Sequence, residues 1–369
     1  MENKTGKNIA ETTGFSLSTV EKVLRGQSRQ YHISRETEKT IRAAAEKLGY
    51  RKNELAAAIR TGVNRTVGVV FHASDVSRCS SLHEVLSGII SEAAARDYAI
   101  HTFMDDDMER VVDTLISRRT GTLISLSLEP ARRCLTAKLC KENGIALVFA
   151  YEEACSGFPA VHTDNFEGMR LAVKYLLDNG HTRIVLCCTK HTYCYDAARH
   201  AGYLKALSDA GIPILKQYIL CRDIVDYDAF VEEFMRLPEA ERPTAFVSTS
   251  DTDVLHLVNV LPEHGIKVPR DVSLFGFGNT RATEFSQVPL SSVEESHTLL
   301  GKTVLRVALG CETEIRDDGK GNYLIPPRLV LRQSVFNRKT NVPAGSRETI
   351  RECGRHGRRN KQKCWDMQK

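Results

Sequence analysis

The sequence has no apolar run of about 18 residues, a single Trp, and a polar amino terminus without the hydrophobic centre of a leader peptide. The expectation is a cytoplasmic protein with neither a membrane span nor an export signal. Three signatures of catalysis are also missing: the phosphate loop G-x-x-x-x-G-K-S/T, the zinc-protease H-E-x-x-H and the nucleophile elbow G-x-S-x-G. No enzyme constellation stands in their place. Cysteine, by contrast, is frequent, with 11 residues. They are scattered through the chain, and Cys187 and Cys188 fall inside the apolar run RIVLCCT, so reduced core thiols are expected. His191 with Cys194, and Cys353, His356 and Cys364, leave zinc sets incomplete, so no metal and no cofactor are expected.

With 369 residues, of which 42% are hydrophobic, the chain is too long for one core and suggests two or three globular domains. Charge is unevenly placed along it. Residues 1–61 carry 12 Lys/Arg against 7 Asp/Glu and residues 338–369 carry 10 against 3, while the stretch between has 29 against 36. Both ends are therefore suited to neutralising phosphates, although uneven charge also serves solubility.

Residues 8–26, NIAETTGFSLSTVEKVLRG, hold two short helical patterns around a Gly. Ile9, Ala10 and Thr13 share a face, Gly14-Phe15 breaks the helix, Ser16 caps the next, and Val20, Val23 and Leu24 repeat at helical spacing. This is the spacing of a helix-turn-helix, whose second helix lies in the DNA major groove. Ser34 precedes a third helix with Ile41, Ala44, Ala45 and Leu48 on one face, ending at Gly49. Asn53 opens an Ala-rich stretch running past Ala56 to Ile59 and Arg60. Composition allows a linker there, or a helix whose Ile59 wedges into the minor groove.

From about residue 66 the pattern changes to strands alternating with amphipathic helices. Expected strands are 66–71, 122–127, 146–151, 183–188, 244–249 and 271–277, with helices over 81–98 and 166–180. Such alternation implies parallel sheets covered on both faces.

The order helix-turn-helix, Gly-Tyr, Asn-x-Leu-Ala, Arg-Thr-Gly and the strand TVGVVF resembles the lactose/galactose-repressor family of bacterial transcription regulators, over about Lys7 to Val335. The resemblance implies an all-α headpiece with hinge helix (1–62), then a periplasmic-binding-protein-like core of two doubly wound parallel-sheet lobes (63–337). It places the first lobe at about 63–161 and 291–322 and the second at about 163–289 and 323–337. Beyond the resemblance, residues 338–369 are basic and nearly devoid of aliphatics, so a disordered tail is expected there. The resemblance further implies a homodimer on a double-stranded palindromic operator, controlled by a small polar, carbohydrate-like effector between the lobes. Runner-up expectations are the same fold without effector response, and a ligand-binding protein with a vestigial headpiece.

Family positions fall on particular residues. Leu17, Ser18 and Lys22 occupy positions that read base edges, Ser16 and Thr19 those that meet phosphates, and Arg25 adds a backbone contact. Asn53, Ala56, Ile59 and Arg60 occupy the hinge. In the core, 163–165 (TDN) and 180–184 (GHTRI) match family segments. Arg199 in RHAGY and Asp251 in STSD match an effector-binding Arg and Asp, chemistry suited to ligand hydroxyls or a carboxylate. Departures are numerous: Ser250 replaces Asn, Gly278 an Asp, Ser81 an aromatic, Ile224 another aromatic, Tyr151 an Asp, and His72 a small polar residue. These define the expected effector site together with Arg199 and Asp251, and the ligand is not expected to follow that of better-known members.

Overall fold

The computed structural model describes residues 5–50, 64–73, 81–188, 193–221 and 226–344. The chain divides into two compact units, residues 1–64 and 65–369.

The first unit is a three-helix domain: α1 (Gly6–Thr13), α2 (Leu17–Leu24) and α3 (Arg35–Lys47). Gly14 takes φ 75°, a left-handed conformation that costs a residue without Cβ little, and this stops α1. Ser16 then caps α2, its Oγ accepting from Thr19 N at 3.1 Å, and Ser34 caps α3 in the same way through Thr37 N. Each cap satisfies an amide that the helix cannot, worth about 1 kcal/mol. Ile9, Val20, Val23, Ile41 and Ala45 are buried together at the centre. The apolar spacing read from the sequence therefore corresponds to the packed face.

The second unit contains two six-stranded sheets. The first lobe has the order β11-β5-β4-β3-β1-β2, built from β1 (Thr66–Phe71), β2 (Ala99–Met104), β3 (Thr122–Ser125), β4 (Ala146–Ala150), β5 (Ala160–Thr163) and β11 (Asn322–Ile325). All its neighbours are parallel. Its helices are α4 (Leu82–Ala95), α5 (Met108–Ser117) and α6 (Pro130–Glu142).

The second lobe has the order β12-β10-β9-β8-β6-β7, with β6 (Ile184–Cys188), β7 (Ile219–Cys221), β8 (Ala245–Ser248), β9 (Ser273–Phe277), β10 (Ser291–Glu294) and β12 (Arg328–Val330), of which only β12 runs antiparallel. Its helices are α7 (Asn165–Asp178), α8 (Cys194–Asp209), α9 (Tyr227–Met235), α10 (Asp251–Glu263) and the short α11 (Ala282–Phe285). The last helix, α12 (His297–Ala308), returns to pack on α4 and the first sheet. Each sheet carries an apolar core on either face, which is why its strands read as continuous apolar runs.

The structure moves two lobe boundaries. Residues 291–294, expected in the first lobe, pair with β9 and β12 in the second, so the chain returns after Glu294. Residues 323–325, expected in the second lobe, extend β11 beside β5 in the first, so the last crossing follows Ile325. Residues 338–344, expected in the tail, belong to the second lobe. Phe336–Asn337 pairs with Val342–Pro343, and Ala344 is fully buried in the second lobe's core. The rest of the tail, with Cys353, His356 and Cys364, lies outside the described residues, as does His191.

One thiol expectation is corrected. Cys140 and Cys187 are buried outside any disulfide, but Cys188 forms a disulfide with Cys221. Parallel register places these two opposite each other on β6 and β7, with Cα atoms 4.6 Å apart, inside the range that a disulfide spans.

His181, in the GHTRI segment, is a core tie of the second lobe. Its Nε2 donates to Phe336 O at 2.9 Å and its Nδ1 meets Thr244 Oγ1 at 3.0 Å. Burial pushes its pKa down from 6.5 to about 4. The unfolded chain therefore binds the proton first, and stability is lost as pH falls from 6.5 towards 4. The loss amounts to about 3 kcal/mol over the whole window. Urea midpoints at pH 7 and pH 4.5 should show this fall in the native protein and a shallower one in His181→Asn. Equal slopes would contradict the assignment.

Candidate functional site: an inter-lobe cleft and an exposed recognition helix

Five helices of the second unit begin at one place. The first turns of α7, α8, α10 and α12, and Ser81 just before α4, line a cavity of about 390 Å³ between the lobes. This is the region beyond the carboxyl ends of the strands, where open parallel sheets hold their ligands. The described lining includes Ser81, Tyr151, Arg199, Ser250, Asp251 and Gly278. Six of the eight residues expected from sequence thus share one cavity. Ile224 lies outside the described residues.

His72 is a correction. It is not part of the described lining; its Nδ1 sits 2.8 Å from Asp105 Oδ1 and 3.3 Å from Asp106 Oδ1. The small side chain usual at the end of β1 is replaced by an imidazole, which turns to these carboxylates rather than to the cleft. His72, Asp105 and Asp106 bring three possible metal-ligand atoms within 4.8 Å of one another. Arg132 Nη1 already binds the same Asp105 oxygen at 3.0 Å, and Ser127 Oγ donates to the other at 2.5 Å. A cation there would have to displace a guanidinium.

Arg199 is almost fully buried and each of its nitrogens has an acceptor. Nε donates to Asn165 Oδ1 at 2.8 Å, Nη1 to Thr249 O at 2.6 Å and Nη2 to Glu295 Oε1 at 2.7 Å. Its guanidinium carbon lies 3.7 Å from the centre of the Phe277 ring and 5.0 Å from that of Tyr195. Asp251 is 2% exposed. Its Oδ1 accepts from Ser292 Oγ and its Oδ2 from Thr280 N, both at 2.6 Å. Burial pushes its carboxyl above the ordinary range, against these two donors, and the charge of Glu295 adds to the rise. Ser250 caps α10 through Thr252 N. Tyr151, at φ 71°, holds a left-handed backbone that is strained for a tyrosine, and its ring lies 6.2 Å from that of His297.

Several lining residues escaped the sequence reading: Asn165, Tyr193, Tyr195, Asp196, Phe277, Glu295 and His297. Asn165 belongs to the TDN segment and Phe277 closes the expected strand 271–277. Glu295 sits where β10 crosses back to the first lobe, and two acidic residues closing an apolar strand were the available signal. Tyr193 and Tyr195 stack with ring centres 5.3 Å apart and form an aromatic wall that the departures at 81 and 224 had argued against.

In the first unit, the residues expected to meet DNA open α2 or lie along it. Leu17, although apolar, is 37% exposed, and Ser18 is exposed beside it. Ser16 Oγ and Thr19 Oγ1 share a hydrogen bond at 2.9 Å. Lys22 Nζ lies 4.2 Å above the Tyr31 ring, and Arg25 pairs with Glu21. Leu17, Ser18 and Lys22 thus stand apart from the packed side of α2, which uses Val20 and Val23. The hinge positions Asn53, Ala56, Ile59 and Arg60 lie outside the described residues.

A small helix-turn-helix domain ahead of a two-lobed core with a cleft between its sheets is the make-up of a ligand-responsive DNA-binding regulator. Comparison with known proteins agrees. Residues 5–53 match the model of bacterial regulatory proteins of the lacI family, and residues 173–335 match the periplasmic binding protein-like domain. The chain is 26% identical over 342 residues to the HTH-type transcriptional repressor PurR of Actinobacillus pleuropneumoniae serotype 3 (strain JL03), covering 90% of this chain and 98% of that one. The PurR of Pasteurella multocida (strain Pm70) is 24% identical over 341 residues, with the same coverage. Among solved structures, the lac repressor dimer bound to operator and an anti-inducer superposes with a TM-score of 0.69 at 22% identity, over 90% of this chain and 99% of that one. A transcriptional regulator from Bacillus cereus subsp. cytotoxis gives 0.62 at 27% identity, over 75% and 100%. The chain carries a lacI-family DNA-binding domain followed by a periplasmic binding protein-like domain, the make-up of a lacI-family regulator.

Proposed function

We propose that this protein is a cytoplasmic transcriptional repressor that binds a palindromic operator as a homodimer and releases or tightens its hold when a small polar, carbohydrate-like effector enters the inter-lobe cleft. Leu17, Ser18 and Lys22 read base edges, while Ser16, Thr19 and Arg25 meet the phosphate backbone. The hinge stretch from Asn53 through Ala56 to Ile59 and Arg60 enters the minor groove between the half-sites. Arg199, Asp251, Ser250, Tyr151, Ser81 and Gly278 form the effector pocket.

The observation that carries this reading is the convergence of helix starts from both lobes on one polar cavity. A ligand there touches elements of each lobe and favours one relative position of the two. Support also comes from relatives: one solved structure is a transcriptional regulator CelR–cellobiose complex. A second reading, a core that no longer answers an effector, is favoured by the internal pairing of Arg199 and Asp251.

Operator affinity measured while titrating sugars, sugar acids, amino sugars and nucleobases separates the two. A ligand that raises the melting temperature should also change operator affinity by a factor of about 5 to 150, the usual range of such coupling. Operator binding that none of them moves would support the unresponsive core.

A further inference from the structure

We propose that Glu295 sets the charge selectivity of the cleft, closing its guanidinium to anions and directing the site to a small polyhydroxylated ligand that carries a protonated amine. This deepens the effector reading above and rests on it.

Three observations carry the assignment. First, the guanidinium of Arg199 is already committed to Asn165, Thr249 and Glu295, and the last of these is a carboxylate 2.7 Å away. The side chains of this pair are 8% and 15% exposed, so the pair sits largely out of water and is costly to break. An anionic ligand seeking Arg199 must displace Glu295 from the guanidinium and leave that carboxylate to His297, whose Nε2 lies 3.7 Å from its Oε2. Second, the charged side chains in the described lining are Asp196, Asp251, Glu295, Arg199 and His297. Carboxylates outnumber the guanidinium three to one. If Asp251, whose carboxyl burial pushes upward, holds a proton, the balance is still negative before His297 is counted.

Third, Gly278 places no side chain against two of these carboxylates. A methyl group at its Cβ position would touch Asp251 Oδ2 at 3.4 Å and Glu295 Oε2 at 3.7 Å, so a longer side chain there would cover this acidic face. A ligand ammonium that approaches this face is drawn to both carboxylates, while a neutral hydroxyl has no charge to offer them. Gly278 is held at φ 121°, a conformation that side chains rarely adopt, so the bare backbone is built into the site. The rings of Tyr193 and Tyr195, in the same cavity lining, suit a sugar-like ring bearing positive charge.

The test uses the full chain and one skeleton in three charge states: glucosamine, glucose and glucuronate, repeated with the galactose series. Titration calorimetry should find at least one amine bound 10-fold or more tighter than its neutral parent, and neither acid bound. In Glu295→Gln, checked for native folding by circular dichroism, the amine's advantage should fall below about threefold and an acid should begin to bind. The proposal is overturned if an acid binds native protein as well as the amine, if the amine's advantage survives in Glu295→Gln, or if none of the six binds. Failure of the effector reading looks different: operator affinity would then be indifferent to every ligand the cleft binds. A neutral or acidic ligand that binds as tightly as the amine and shifts operator affinity would overturn the charge assignment while keeping that reading.

Discussion

Gly301→Ala is expected to lower the stability of the core by more than about 3 kcal/mol, beyond the usual cost of overpacking, because backbone rather than side chain stands in the way. A Cβ at Gly301 would fall within 3.0 Å of Val85 O, closer than real Cβ atoms approach, and 3.0 Å from Ile89 N. From the other side, a Cβ at Gly88 would crowd Thr298 O and lie 3.1 Å from the Gly301 Cα. Helices α4 and α12 therefore meet at a glycine pair, backbone on backbone. The second lobe repeats the device, for a Cβ at Gly202 on α8 would press on Phe166 O and stand 3.1 Å from Arg170 N of α7. These two helix pairs hold up the cleft, since α7, α8 and α12 supply Asn165, Arg199 and His297. Gly121, with nothing within 4 Å of its Cβ position, is the internal control. Urea denaturation followed by circular dichroism should show a large drop for Gly301→Ala and a change within about 0.5 kcal/mol for Gly121→Ala. Similar midpoints for the two would contradict the packing argument.

Lys22→Ala is expected to weaken operator binding about 10- to 100-fold, equivalent to about 1–3 kcal/mol for a lost base contact, while leaving the core's melting unchanged. Lys22 leaves the packed face of α2 to Val20 and Val23, so removing it takes away no buried group. Its ammonium rests over Tyr31 and must leave that ring to reach a base. A base-reading role predicts relaxed preference at one operator position. A phosphate-only role predicts uniform weakening on all sequences, with the salt slope reduced by about 1. Competition binding against single-base operator variants at two salt concentrations tells them apart. Affinity unchanged from the native protein would remove Lys22 from the interface.

Much of this architecture was legible because parallel strands buried on both faces leave unbroken apolar runs, as in TVGVVF and RIVLCC. The short or partly exposed strands were not. The strand β2, AIHTFM, lies at the sheet edge with none of its residues buried, and β5, β7, β10, β11 and β12 have only three or four residues each. Periodicity has too few positions to act on in such segments. The headpiece was clearer, since Gly14, Ser16 and Ser34 punctuate helices with local chemistry that needs no tertiary context.

Cleft positions such as Arg199 and Asp251 could be placed from family resemblance, but their partners could not. Glu295 lies 96 residues beyond Arg199, and Ser292 lies 41 beyond Asp251. No local pattern announces such pairs. The Cys188–Cys221 disulfide was hidden for the same reason, because it depends on strand order rather than on cysteine spacing.

The central claim is sequence-specific binding of DNA by this chain. Its most direct test is selection of bound fragments from a random DNA pool by the purified full-length protein at near-physiological salt. Operator reading by a dimer predicts a short palindrome with half-sites about one helical turn apart and a flexible step at its centre. Recovery of no shared motif, with binding that vanishes steeply as salt rises, would mean phosphate attraction alone and would contradict it.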